Sequence, residues 1–494
     1  MSSPHGFKSR RLVASFSVVL CLATAGPSAA GLLNERISRE PFRIGFGPGQ
    51  ARLDGMGLSI AAHDENNEIN LFDFGDNPAG LLSDRDSWSV DARYSHQERF
   101  DRDPGSHGIE YLGDLWSLLV AFRNSGSRAV GVELDYLDTK LQTGAGNSYK
   151  YKQKQYRLLY NQMFGRLAGG VEFRYQDELE DQTGGEDFYS IEHNAASLTG
   201  LLGLSYEFHQ WASLSARGAI ERTNIDGRAS SDSYDDRFDW AQPAGSIEGQ
   251  LFVHHPRLTG AVTYGLTQGA GEEKVNAAWS PLFIFNPGPY YVEFESKTFT
   301  EDNEINLLRT RWEYQVVPDV ARLAASYSAS GRDYKAISNP LVIGSRTERT
   351  VTDDQNQFGL GGSVTLLKAR LLLGAEYGRV AYSLEDIDPL TGFTEDTTIG
   401  QFSVGGEYLA ADNLALRTGL SFRSIDREDR VSPTPDVDYL TRRQGGVSEQ
   451  LLSVGGGWVP RGGAVQVDAA FTTGIGSDYE LKQKHVSLYA RILF

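Results

Sequence analysis

Charged side chains recur at every second position in many stretches of the chain, opposite apolar side chains. Glu133, for example, lies between Val132 and Leu134. In an extended strand such alternation puts the charges on one face and the apolar groups on the other. Eleven residues are candidates for one polar surface of this kind: Arg93, Glu133, Glu172, Arg174, Arg309, Arg311, Glu313, Arg322, Glu407, Arg417 and Arg491.

Two kinds of chemistry suit such a surface. Arginine can orient a carboxylate-bearing ligand through charge-assisted hydrogen bonds. The same arginines can instead pair with the neighbouring glutamates and hold the polypeptide wall together. The sequence leaves both interpretations open.

Catalytic and metal-binding motifs are missing from the sequence. It contains no GxSxG, no HExxH and no phosphate-binding loop, although a Ser/His hydrolase with residues far apart in sequence stays possible. Acidic clusters such as Asp232 with Asp235 and Asp236 lack the spacing of an EF-hand, which favours solvated loops over cation sites. His254 and His255 are adjacent, so in a strand they point apart. We therefore predict no enzymatic activity, no metal and no cofactor.

Composition excludes several classes of protein. The chain has 494 residues and a net charge of −18, which argues against nucleic-acid binding. Only 40% of residues are hydrophobic, yet there are 54 Gly, 23 Tyr and 24 Phe. After residue 34 no stretch approaches the roughly 18–20 apolar residues of a spanning helix. The absence of such a stretch excludes a helical membrane protein. The abundance of glycine and aromatic residues is typical of an outer-membrane β-structure.

The first 30 residues have the pattern of a secretory signal peptide. Arg10 and Arg11 precede an apolar run from Leu12 to Leu22, and Ser28-Ala29-Ala30 predicts cleavage before Gly31. The alternative is a short anchor helix. Cleavage would remove Cys21, which is the one cysteine, and with it the possibility of disulfides, cysteine-bound zinc or thiol catalysis.

From residue 87 onwards the alternating runs are about 10 residues long, which is the length that crosses a bilayer at a tilt. Short turns and long polar connections follow each other along the chain, as they do in outer-membrane barrels. The pattern predicts an all-β fold, a transmembrane antiparallel β-barrel of about 18 strands within a range of 14 to 20, formed by residues 87–494. Residues 275–300 stay ambiguous between a further hairpin and a folded loop.

The carboxyl terminus carries the most specific signal. Alternate apolar residues lead to Ile492 and a terminal Phe494, with Tyr489 on the opposite face. This pattern resembles the signal that the outer-membrane assembly machinery reads. The alternative is an ordinary edge strand that ends in Phe.

Residues 31–86 do not alternate and are rich in small residues and turn formers. A barrel of 14 or more strands has a lumen that must be filled or conduct water. We therefore predict that residues 31–86 form a hatch in the lumen, with a periplasmic tail as the alternative.

Two short motifs in this segment carry a family resemblance. They are Gly55-Met56-Gly57 and, just before the first strand, Asn77-Pro78-Ala79-Gly80. Together with the barrel pattern they resemble the amino-terminal hatch of the FadL-type outer-membrane superfamily, which includes transporters of long-chain fatty acids and PorV-like barrels. The resemblance covers roughly residues 42–90.

The resemblance implies passive uptake of hydrophobic or amphipathic small molecules across the outer membrane of a Gram-negative bacterium. The implied partners are outer-membrane lipid, lipopolysaccharide, the assembly machinery and a hydrophobic ligand, with a monomeric barrel. Two alternatives stay open: a PorV-like barrel that supports secretion or assembly, and a general porin.

Overall fold

The structure is a computed structural model that places eighteen strands, and its described residues fall into separate ranges. These are residues 56, 58, 87–101, 109–124, 128–143, 148–183, 190–230, 234–279, 292–339, 347–387, 392–432, 440–460, 464–477 and 482–494. Within these ranges no helix is long and apolar enough to cross a membrane.

The strands, in chain order, are β1 Ser87–Asp101, β2 Ile109–Asn124, β3 Arg128–Thr143, β4 Ser148–Phe164, β5 Leu167–Thr183, β6 Ser190–His209, β7 Ala212–Ser230, β8 Tyr234–His255, β9 Leu258–Trp279, β10 Val292–Val317, β11 Ala321–Asn339, β12 Thr347–Leu366, β13 Leu371–Ile387, β14 Gly392–Ala411, β15 Leu414–Ser432, β16 Leu440–Trp458, β17 Val465–Ser477 and β18 Lys482–Leu493.

The strands form one closed antiparallel barrel. Each pairs with its neighbours in the chain, and β18 pairs with β1 in a register that runs from Ser89 opposite Leu493 to Phe100 opposite Lys482. Phe494 extends this closure, because its backbone exchanges two hydrogen bonds with Trp88. Closure leaves no open sheet edge, which a β-structure in lipid requires. The predicted fold class and the strand number of 18 are confirmed.

The two faces of the wall have opposite polarity. On β4 the outward residues Tyr156, Leu158 and Tyr160 are 46%, 49% and 37% exposed, whereas the inward residues Arg157 and Asn161 are buried. The same alternation continues around the barrel, with exposed apolar side chains outside and buried polar ones inside. An apolar exterior with a polar interior is the arrangement of a barrel that crosses a membrane.

One end of the barrel has short turns, as the sequence predicts. The connections at residues 165–166, 210–211, 256–257 and 412–413 each have two residues. At the other end the strands run much further than predicted, and β10 has 26 residues. Beyond the bilayer the apolar alternation ends while hydrogen-bonded pairing goes on. The sequence pattern therefore marks the apolar-faced part of each strand and misses the extension beyond it.

Residues 275–300 add no further strand pair among the described ranges. β9 continues to Trp279 and β10 begins at Val292, and the two pair across this region with Val292 opposite Trp279. The described parts of this segment, residues 275–279 and 292–300, therefore lengthen an existing hairpin.

The β12–β13 turn contains backbone strain. Leu367, Lys368 and Ala369 have φ values of 53°, 56° and 67°, a region that residues with a Cβ avoid. The Arg370 N–H donates to the Leu366 carbonyl at 3.1 Å and closes the turn. The turn is therefore held by hydrogen bonds in a conformation that glycine would adopt more easily.

We expect Lys368→Gly to be more stable than Lys368→Val by about 1–2 kcal/mol, since only the second keeps a Cβ, and a branched one, at positive φ. Both changes remove the same charge. The free energy of unfolding in denaturant, measured for barrels folded into vesicles, tests this. Equal stabilities would mean that the turn does not hold this conformation.

Candidate functional site

The inner wall of the barrel carries a buried ionic network on β3, β4 and β5. The Arg157 Nε donates to Glu172 Oε1 at 2.8 Å and its Nη2 donates to Glu172 Oε2 at 3.0 Å. Arg157 also pairs with Glu133 on the other side, and Arg174 Nη2 lies 3.2 Å from Glu172 Oε1. All four side chains are at most 5% exposed. Two arginines and two glutamates therefore neutralise one another out of contact with bulk water.

A second network spans four strands, β14 to β17. The Arg417 Nε donates to Glu407 Oε2 at 2.7 Å, and its Nη1 donates to Asp468 Oδ1 at 2.6 Å. To reach Asp468 the guanidinium crosses β16 at Gly457, where a Cβ would overlap both Arg417 and Asp468. The absence of a side chain at position 457 therefore permits the bridge.

Polar contacts also fasten the β1–β18 closure on the lumen side. Tyr489 Oη and Arg491 Nε each donate to Asp91 Oδ1 at 2.6 Å. Further along the same closure Ser95 Oγ and His485 Nε2 share a hydrogen bond of 2.7 Å. Tyr489 is 3% exposed, whereas Ile492 and Phe494 are 39% and 75% exposed. The predicted assembly signal thus has one residue in the lumen and two on the outer face.

A third inner region combines arginines with small side chains. Arg309, Arg311 and Arg322 lie on β10 and β11 and are partly exposed. The Arg311 Nη2 donates to Glu313 Oε1 at 2.9 Å. Beside them β11 and β12 present small residues to the lumen, and the register aligns three of these with the β10 charges: Ser328 with Arg309, Ser326 with Arg311 and Ala324 with Glu313.

The next strand continues this small-residue wall. Gly361 lies opposite Ala324 and Gly359 lies opposite Ser326 on β12. These small side chains project only a short way into the lumen, and Arg309 and Arg322 lie beside them on β10 and β11. Such a surface can accept the carboxylate of a ligand through charge-assisted hydrogen bonds.

Part of the amino-terminal segment contacts the wall on another side. Met56 and Leu58 are 0% and 3% exposed, and Leu372 of β13 packs against them. A Cβ at Gly405 of β14 would overlap the Met56 carbonyl oxygen. Gly405 faces the lumen, because its neighbours Ser403 and Glu407 on the same face of β14 are buried. Met56 therefore lies inside the barrel against β13 and β14.

The structure groups most of the charged residues that the sequence singled out. Glu133, Glu172 and Arg174 share one network, and Glu407 and Arg417 share another. Arg491 joins the β1–β18 closure, and Arg311 joins Glu313. Arg93, Arg309 and Arg322 are partly exposed on the same inward face of their strands. Of the hatch motif, Met56 is described, whereas Gly55, Gly57, Asn77, Pro78, Ala79 and Gly80 lie outside the described residues, as does the signal peptide.

Two residues at the centre of these networks were missed by the sequence reasoning. Arg157 alternates with Tyr156 and Leu158, so the period-two pattern was sufficient to find it. Asp468 follows Val467 and precedes two alanines, which leaves its face undefined in the sequence. Its role depends on Arg417, which is 51 residues away in sequence and two strands away in the barrel.

No family model matches the chain. No curated protein matches it either. Membership of the FadL-type superfamily therefore stays a prediction.

The solved structures that resemble this chain in fold include outer-membrane proteins. The ferric citrate transporter FecA in its unliganded form has a TM-score of 0.44 and 8% identity, over 83% of this chain and 79% of that one. The ferric-catecholate import receptor Fiu of E. coli K12 has a TM-score of 0.40 and 10% identity, over 84% and 82%. The Pseudomonas putida toluene transporter TodX has a TM-score of 0.35 and 14% identity, over 91% and 97%. At these values we draw no function from the likeness.

Proposed function

We propose that this protein is an outer-membrane channel that takes up hydrophobic or amphipathic small molecules of the long-chain fatty acid type. The apolar exterior and the closed ring of strands support placement in a membrane. The outer membrane of a Gram-negative bacterium is the membrane in which we place it, with a monomeric barrel. In this proposal the protein binds and passes its ligand without transforming it.

One observation carries the ligand class: the arginine group beside the small-residue wall of β11 and β12. In the two networks around Arg157 and Arg417, guanidinium and carboxylate groups neutralise each other in burial. Arg309 and Arg322 differ from these, since they are partly exposed and each has a serine opposite it on a neighbouring strand, Ser328 and Ser363 respectively. An amphipathic carboxylate fits this setting, with its headgroup at the arginines.

We expect the double variant Arg309→Gln/Arg322→Gln to bind palmitate roughly ten-fold or more weakly, because hydrogen bonds between charged groups are lost. Binding of hexadecanol, which has the same chain and no carboxylate, should not change. Titration calorimetry on the purified, folded barrel measures both.

The matched control is Arg222→Gln, which removes an exposed arginine from the outer face of β7. It should bind palmitate like the parent protein. Failure of the parent protein to bind either amphiphile would contradict the proposed uptake. Equal palmitate affinity of the double variant and the parent would contradict the role of the arginine group.

A second candidate function is a PorV-like role as a partner barrel in secretion or assembly. The length of the extracellular hairpins favours it, since β8, β9 and β10 have 22, 22 and 26 residues where roughly 9–11 cross a bilayer. Stable co-purification of a large partner, together with no binding of palmitate, would support this candidate over uptake.

A further inference from the structure

Four lysines form a patch on the outer face of β3 and β4. Lys150, Lys152 and Lys154 occupy successive outward positions of β4, and Lys140 lies on the adjacent strand β3. Their outward direction follows from the alternation on β4, where Tyr156 and Leu158 are exposed and Arg157 is buried. We call these four residues the lysine patch.

The lysine patch begins where the apolar exterior ends. On β4 the outward residues between Phe164 and Tyr156 are predominantly apolar, and Phe164 adjoins the short turn to β5. This stretch has the length that crosses the hydrocarbon core. Tyr156 packs near Tyr175 with ring centroids 6.2 Å apart, as in an aromatic girdle. Lys154 is the next outward residue, on the side of the long hairpins.

In a barrel whose short turns face the periplasm, that side is the outer leaflet. The patch therefore lies at the height of the outer-leaflet headgroups. This placement rests on the outer-membrane location proposed above, and it does not depend on what passes through the lumen.

The charges within the lysine patch are incompletely balanced. Lys140 lies directly opposite Lys150 on the adjacent strand. Like charges in this position repel each other and destabilise the strand pair. Three outward aspartates accompany the four lysines: Asp181 lies 3.9 Å from Lys150, Asp138 lies 3.8 Å from Lys152, and Asp177 lies opposite Lys154 in the strand register. The two distances are longer than a hydrogen bond, and no aspartate lies opposite Lys140 in the register. A phosphate group beside Lys140 and Lys150 would relieve the repulsion between them.

The lysines are also free to reach such an anion. The side chains of Lys150 and Lys152 are 50% and 45% exposed. Long lysine stems can lie along the apolar surface while the ammonium groups extend into the headgroup region. Clusters of basic residues at a membrane surface attract anionic lipid headgroups.

We propose that the lysine patch is a binding site for a phosphorylated glycolipid of the outer leaflet. The phosphate groups contact the ammonium groups of Lys140, Lys150, Lys152 and Lys154. The acyl chains lie below them along Tyr156 and Leu158. The site thus fixes lipid on one side of the barrel, next to β3 and β4.

The outer face also provides matched controls, because single cations occur at the same boundary on other strands. Arg222 follows the exposed Ile220 on β7, and Arg379 follows the exposed Tyr377 on β13. Each is an outward cation above an apolar residue, and neither belongs to a cluster of lysines. A general preference for cations at the headgroups would make them equivalent to the patch.

The experiment measures binding of bisphosphorylated lipid A to the full-length barrel in detergent by native mass spectrometry. We expect the variant with all four lysines changed to Gln to bind at least roughly ten-fold more weakly. The variant with all four changed to Arg, and the control Arg222→Gln/Arg379→Gln, should stay within about two-fold of the parent. Dephosphorylated lipid A should bind the parent and the Gln variant equally.

Folding is checked first, by heat-modifiable migration. If the Gln variant does not fold, the parent and the Arg variant test the proposal instead. Both should then bind phosphorylated lipid A more tightly than dephosphorylated lipid A. No preference in the parent, or an equal loss in the control, would overturn the proposal. Phosphatidylglycerol binding with the same lysine dependence and affinity would overturn the assignment to a glycolipid. Palmitate binding by the same samples tests the proposed uptake separately.

Discussion

Replacing Arg157 with Met should destabilise the barrel by about 3–5 kcal/mol, because two glutamates would be left buried without their main counter-charge. Arg157 forms a two-bond contact with Glu172 and a further pair with Glu133, and the three side chains are at most 5% exposed. A methionine fills a similar volume and does not neutralise either carboxylate. The free energy of unfolding of the barrel in vesicles is the measurement.

Two further variants distinguish the loss of stability caused by an unpaired buried charge from the loss caused by removing an arginine side chain. Arg222→Met removes an exposed arginine from the outer face of β7 and should change stability little. The double variant Glu133→Gln/Arg157→Met removes one buried carboxylate and leaves Glu172 paired with Arg174, so it should recover much of the loss. If Arg157→Met and Arg222→Met lose the same small amount, water reaches this part of the wall and screens the pairs.

The sequence predicts the membrane-spanning part of this fold because lipid imposes a rule on every second side chain. Tyr156, Leu158 and Tyr160 must be apolar and Arg157 need not be, so the faces can be assigned without a structure. Above the bilayer water contacts both faces and the rule no longer applies. This is why β10 begins at Val292, well before its alternating segment.

The contacts that join the inner charges depend on register, which local sequence does not contain. Arg417 contacts Asp468 because two strand pairings, β15–β16 and β16–β17, bring them to one level, and Gly457 has no side chain to separate them. A list of charged inward residues predicts which groups can pair. The shear of the closed barrel decides which groups do pair.

The contact of Met56 with the wall bears on the proposed hatch. Met56 and Leu58 are buried against Leu372, and the Met56 backbone approaches Gly405 so closely that a Cβ there would overlap it. A lumen enclosed by 18 strands is wide enough to conduct water unless it is filled. We infer that residues 31–86 fill it, with Met56 as an attachment point.

Deleting residues 31–80 should therefore raise the single-channel conductance in planar bilayers on the order of ten-fold while the barrel stays folded, since side chains alone do not fill a lumen of this width. Gly405→Ala should raise the conductance by a smaller amount, because the added methyl group would displace the Met56 backbone. Gly400→Ala is the matched control on the same strand, since a Cβ there meets only the Tyr377 hydroxyl at 3.8 Å.

The three conductances separate the hatch from the porin alternative. In a porin the parent protein already conducts, and neither the deletion nor Gly405→Ala changes the current. With a hatch attached at Met56, the deletion has the largest effect, Gly405→Ala an intermediate one and Gly400→Ala none. A response to the deletion without a response to Gly405→Ala would keep the hatch and contradict the attachment at Met56, because one methyl group at position 405 cannot fit beside that carbonyl.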